Sequence, residues 1–174
     1  MIRLLLLHFC QWCNNSWFGH AIRDSTWLFP FVEIFHLIGL GILGGTVLIL
    51  NFRLMRLAFR NESTPELAAE LRPWMLGSLL VMFVSGFLLF STEAVKMYGN
   101  WGFQLKMLFL LLAILYTFTI HRRVTLADDG HRFGFAVRIP VAIVSILLWS
   151  GVGLGGRALG YITTSVSSVS MLLR

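Results

Sequence analysis

Charge is what this chain has least of. Asp, Glu, Lys and Arg make up 13% of its 174 residues, about half the ~25% of an ordinary soluble domain, which argues against a conventional solvated surface. Apolar residues reach 57%, above the ~45–50% that soluble proteins carry. A soluble fold of this length has no place for that excess; a bilayer does. Proline is scarce too, with four in the chain, and Pro30, Pro73 and Pro140 each fall near the first turn of an apolar segment, where the missing N–H costs nothing. Cysteine occurs only twice, as Cys10-Gln11-Trp12-Cys13. Position 14 is Asn rather than the His of a covalent c-type haem site, and no thioredoxin-like βαβ pattern surrounds the pair. The two therefore read as small apolar residues one turn apart on a helix. The net charge of +6 does not point to nucleic acid, because the arginines sit beside apolar segments, as in the cytoplasmic loops of membrane proteins.

What is present is an all-α pattern: a four-helix bundle in a membrane, preceded by an amphipathic helix lying at the interface. Residues 2–18 form the expected interfacial helix, with Trp12 and Trp17 at head-group level. Spans are expected over about 27–50, 74–98, 101–121 and 138–160, each near the ~20 residues that cross a ~30 Å hydrocarbon core. Ser63-Thr64-Pro65-Glu66 reads as a capping box that opens a short helix to Arg72. Gly99-Asn100 is expected to end the second span with a left-handed cap. The first and third connections carry eight basic residues, Arg53, Arg56, Arg60, Arg72, Arg122, Arg123, Arg132 and Arg138. The termini and the second connection carry five, Arg3, Arg23, Lys96, Arg157 and Arg174. Basic residues favour the cytoplasm, so both termini are expected outside, in a bacterial-type inner membrane. Glycines at 41 and 45 in the first span, and at 151, 155, 156 and 160 in the fourth, predict close packing of these spans. The same bare backbone leaves room for a flat macrocycle.

Ionisable groups within spans are costly, ~2.5–3.5 kcal/mol for a central Asp, Lys or Arg. In an up-down-up-down bundle Glu33, His36, Glu93, Lys106 and Arg157 share one end. Glu93 is explained by a surface pair with Lys96, and Arg157 by reaching towards head groups. His36 lies ~12 Å into its span, which makes it either a hydrogen-bonded core histidine or a ligand. Lys106 is harder to accommodate without a function, unless it too reaches towards the head groups. His20, outside the spans, is a candidate second metal ligand. His121 ends the third span ~22 Å along the helix from Lys106, too far to share a site with it.

Three stretches carry a resemblance: Glu33-Ile34-Phe35-His36-Leu37 running on to Asn51-Phe52-Arg53-Leu54, Arg72-Pro73-Trp74 followed by Gly86, and Phe103-Gln104-Leu105-Lys106 ending in His121-Arg122-Arg123. The chain resembles an uncharacterised family of four-span bacterial membrane proteins. That family is distantly similar to the membrane domain of the copper-resistance protein CopD and to HemJ, the bacterial protoporphyrinogen oxidase. The HemJ likeness implies haem b, with His36 and Lys106 as the positions that carry over. The CopD likeness implies copper handling, although Met75, Met82, Met97 and Met107 are dispersed rather than clustered. The leading expectation is a haem-b-binding electron-transfer protein. His36 would be its axial ligand, Glu33 or a backbone carbonyl would orient that ligand, and Lys106 or Arg157 would pair with a propionate. A non-catalytic accessory subunit, packed against other membrane subunits or its own copies, is the alternative from a different class. No catalytic residue is assigned by the sequence.

Overall fold

The structure is a computed structural model that describes the backbone over residues 2–127 and 134–172, and side chains over 5–127, at 134 and over 136–156. Eight α-helices lie within those residues: α1 (Ile2–Asn14), α2 (Trp17–Asp24), α3 (Leu28–Leu54), α4 (Thr64–Thr92), α5 (Ala94–Tyr98), α6 (Trp101–Tyr116), α7 (Arg122–Leu126) and α8 (Phe135–Leu172). A π-helical turn, Thr117–His121, joins α6 to α7 without a break. No strand occurs among the described residues. Four segments are long and apolar enough to cross a membrane: Leu28–Leu54, Thr64–Thr92, Trp101–Leu126 and Ala136–Gly156. The protein is an all-α, multi-pass membrane protein built on these four spans.

The boundaries differ from the expected ones where local chemistry overrides pattern. Residues 2–18 do not form one helix. Ser16 interrupts them and caps α2, its hydroxyl accepting from the Gly19 N–H at 3.2 Å. Ser63 does cap a helix, accepting from the Glu66 N–H at 3.2 Å. That helix does not stop at Arg72, however, but runs through Pro73 to Thr92. An interior proline removes one backbone bond and normally kinks or breaks a helix, yet spanning helices tolerate it because neighbouring groups satisfy what it frees. The second span ends at Glu93, whose ψ of 34° leaves the helical region. Gly99 closes α5 with φ −76°, so no left-handed cap is used there. Asn100 instead caps α6, accepting from the Gly102 N–H at 2.9 Å.

α3 buries one stripe, Gly39, Leu43, Thr46, Val47, Leu50, Asn51 and Leu54, spaced three and four apart. α4 turns small polar residues inward, Ser78, Ser85 and Ser91, and leaves Leu80, Phe83 and Val84 exposed. Each serine hydroxyl donates back to its own helix, to Met75 O at 3.1 Å, Val81 O at 2.6 Å and Phe87 O at 2.8 Å. Small side chains let backbones approach, and the large apolar ones then face lipid, which is as apolar as they are. α3 packs on α4, α6 on α8, and α8 joins the two pairs through α3.

The expected glycine contact between spans one and four is not made. A Cβ added at Gly41, Gly44 or Gly45 would meet nothing within 4 Å. The glycines of α8 serve α6 instead: a Cβ at Gly151 would lie 2.9 Å from the Phe109 ring, and one at Gly155 3.5 Å from Lys106 Cβ. Bulky side chains of α6 occupy the bare face of α8, leaving no need for a second small stripe.

At the end of the bundle where α3 and α6 begin, α1 and α2 lie over α4 and α5. Arg23 fastens them, donating to Thr92 O at 3.2 Å and Asn14 Oδ1 at 3.3 Å, a cation placed where the carbonyls of α4 point outward. Cys10 and Cys13 are free thiols buried with Ala94 and packed by Phe90 and Tyr98. They act as the small apolar residues the sequence suggested, and burial pushes both thiols up from their ordinary range.

Candidate functional site

His36 rises on the inward stripe of α3, one turn before Gly39, and meets α4. Its Nδ1 lies 2.9 Å from Ser85 Oγ. The Ser85 hydroxyl donates its own proton to Val81 O at 2.6 Å, so at the imidazole its oxygen can only accept. The neutral ring therefore carries its hydrogen on Nδ1, and the lone pair resides on Nε2. The Met82 backbone is a second acceptor for the ring, and among the described residues no donor is directed at Nε2. Gly86 fixes the opposite constraint, since a Cβ there would stand 3.1 Å from His36 Cε1. The ring lies against bare α4 backbone, held by the Ser85 hydroxyl and the Met82 backbone, with no donor facing its Nε2.

Lys106 approaches from α6, with its stem along the glycines of α8. A Cβ at Gly156 would sit 3.4 Å from Lys106 Nζ. The ammonium makes no ion pair among the described residues, and it interacts electrostatically with His36. The structure thus brings together His36 and Lys106, using Ser85 and Gly86 of α4 and Gly155 and Gly156 of α8.

The other expected participants stand apart. Glu33 is exposed; the groups that hold the His36 ring are the Ser85 hydroxyl and a backbone carbonyl, that of Met82. Glu93 pairs with Lys96 at 3.1 Å, the surface pair that had explained it. His20 is exposed on α2, with Arg23 Nη2 2.9 Å from its Nδ1 and Asp24 4.0 Å away. Among the described residues no three His, Cys, Asp or Glu side chains form a metal cluster. The Arg157 side chain lies outside the described residues.

A second polar node, absent from the sequence reading, closes the opposite end. Asn51 of α3 is fully buried. Its amide donates to Val47 O at 2.8 Å and to Ser145 Oγ of α8 at 3.1 Å, which uses both amide hydrogens. Its Oδ1 must then accept, and it does so from His121 Nε2 at 3.0 Å. Thr125 places its hydroxyl 3.3 Å from His121 Nδ1 while donating to the His121 carbonyl at 2.8 Å. The π-turn widens the helix by one residue and aims His121 inward; such turns often mark functional positions. The available signal was Asn51 itself, an amide inside an apolar span, which must find partners there.

A model for a family of unknown function, DUF6644, matches residues 9–162. The chain belongs to this family. No curated protein and no solved structure matches it. The stretch matched to the DUF6644 family holds both polar nodes, His36 with Lys106 at one end and Asn51 with His121 at the other.

Proposed function

We propose that this DUF6644 member is a haem-b-binding electron-transfer protein of the bacterial inner membrane, with His36 as the iron ligand. The observation that carries the reading is that the partners of the His36 ring, Ser85 and the Met82 backbone, are acceptors and that no donor faces Nε2. Metal-ligating histidines donate their other ring N–H to a fixed acceptor, which sets tautomer and orientation, and Ser85 supplies that acceptor at 2.9 Å. At His121, by contrast, a neighbouring oxygen stands against each ring nitrogen, Asn51 Oδ1 at Nε2 and Thr125 Oγ1 at Nδ1, which leaves no room for a ligand. The donor set fits the group: one neutral imidazole, one ammonium, and bare glycine backbone on α4 and α8 to lie against. Lys106 would pair with a propionate, and the bound group would supply the one-electron chemistry. The resemblance to HemJ points the same way, and the eight-to-five distribution of basic residues puts the termini outside.

The test is a titration of haem b into the purified full chain. A Soret band saturating at one haem per chain is expected, lost in His36→Ala and retained with weaker binding in Lys106→Ala. Absence of a Soret band in the wild-type protein overturns the reading and leaves the accessory-subunit alternative in its place.

A further inference from the structure

A cavity of about 210 Å³ opens at the basic end of the bundle, between α3, α4, the π-turn with α7, and α8. Its walls are apolar, with Val47, Leu50, Met75 and Phe118 among them, and its mouth carries Arg72 and Arg122. Both arginines are exposed, and neither has a hydrogen-bond or ion-pair partner among the described residues. The polar floor, His121 with Thr125 and Ser145, is already committed to the Asn51 node. What the cavity offers a ligand is therefore two unpaired guanidiniums above an apolar wall.

We propose that this cavity holds the acidic head group of a membrane phospholipid. Three observations select that occupant, and none depends on the haem reading. The volume lies below the ~300–1,000 Å³ of small-molecule sites, which suits a head group whose chains remain in the bilayer. Arg72 stands two residues before the exposed Trp74, and an exposed tryptophan at a span end marks head-group depth. Guanidiniums recognise phosphate through paired N–H donors, and basic pockets between spans take acidic head groups in this way. Glu66 and Glu70 lie on the same helix, but neither lines the cavity.

The experiment is native mass spectrometry of the full chain released from mixed micelles containing equal phosphatidylglycerol and phosphatidylcholine. Wild-type protein should retain one phosphatidylglycerol in preference, and R72Q/R122Q should lose that preference by roughly tenfold or more. R60Q/R123Q removes equal charge from the same end outside the cavity and should keep it. Ala68→Phe fills the cavity without altering charge and should lose it. Retention of the preference in R72Q/R122Q, or equal loss in R60Q/R123Q, overturns the proposal in favour of general surface electrostatics. Complete displacement of the lipid by equimolar inorganic phosphate overturns it in favour of a free-anion site.

Discussion

His36 and His121 occupy opposite ends of one bundle, and each presents a ring nitrogen to a neighbouring helix. At His121 both ring nitrogens are covered: Asn51 donates to Ser145 and Val47 and accepts from Nε2, and the Thr125 hydroxyl stands 3.3 Å from Nδ1. At His36 the partners are acceptors, Ser85 at Nδ1 and the Met82 backbone, and no donor or covering oxygen is placed at Nε2. The same residue type thus gives a covered node that locks three spans together and one whose Nε2 is left uncovered. In lipid, an unmade hydrogen bond has no water to fall back on, and this is why the uncovered Nε2 underlies the proposed ligand.

The comparison predicts that the two nodes differ most in stability. Asn51→Leu leaves the His121 N–H and the Ser145 hydroxyl without their partner and should cost about 2–3 kcal/mol, read as a lower unfolding midpoint in detergent with haem binding retained. His36→Ala removes the bonds to Ser85 and to the Met82 backbone, about 0.6 kcal/mol each on the scale of membrane proteins. If His36→Ala destabilises the fold as much as Asn51→Leu does, His36 is structural and the distinction collapses.

Packing supplies a smaller contrast. Gly151→Leu drives a side chain into the Phe109 ring, which already stands 2.9 Å from the position of a Cβ, and should cost about 1–3 kcal/mol. Gly44→Leu points into open space and should stay within about 0.5 kcal/mol of wild type. Equal losses would mean that α3 meets a partner chain through its glycine face.

The smallest effect concerns the thiols. Burial raises Cys10 and Cys13 above the ordinary thiol range, so in the folded protein the reactive thiolate forms only at higher pH than in a free cysteine. Maleimide labelling should therefore lag that of a free thiol at pH 7 and catch up on unfolding. Labelling as fast as a free thiol in the folded state would reopen a redox role for the pair.

The spans were legible because uninterrupted apolar runs of this length have one use, and Ser63 and Trp101 announced two of the starts. Pro73 misled, since its rule is written for helices in water. His36 and Lys106 were visible as ionisable groups in apolar surroundings. Their supports were not: Ser85, Gly86 and Gly155 are ordinary residues whose meaning comes from contacts across helices. Asn51 was in plain sight, but its partner Ser145 comes from the fourth span, and the π-turn that aims His121 leaves no mark in a periodicity pattern. The glycine stripes were misread for a related reason, since small residues permit an approach without saying which helix makes it.

Nitrogen-15 NMR of the haem-free protein, with resonances assigned through His36→Ala and His121→Ala, tests the central claim directly, because it reads which nitrogen of each neutral ring carries the proton. The account predicts opposite tautomers: Nδ1–H with a bare Nε2 at His36, and Nε2–H at His121. A protonated Nε2 at His36 would contradict it, since the lone pair offered to a ligand would then be turned towards Ser85.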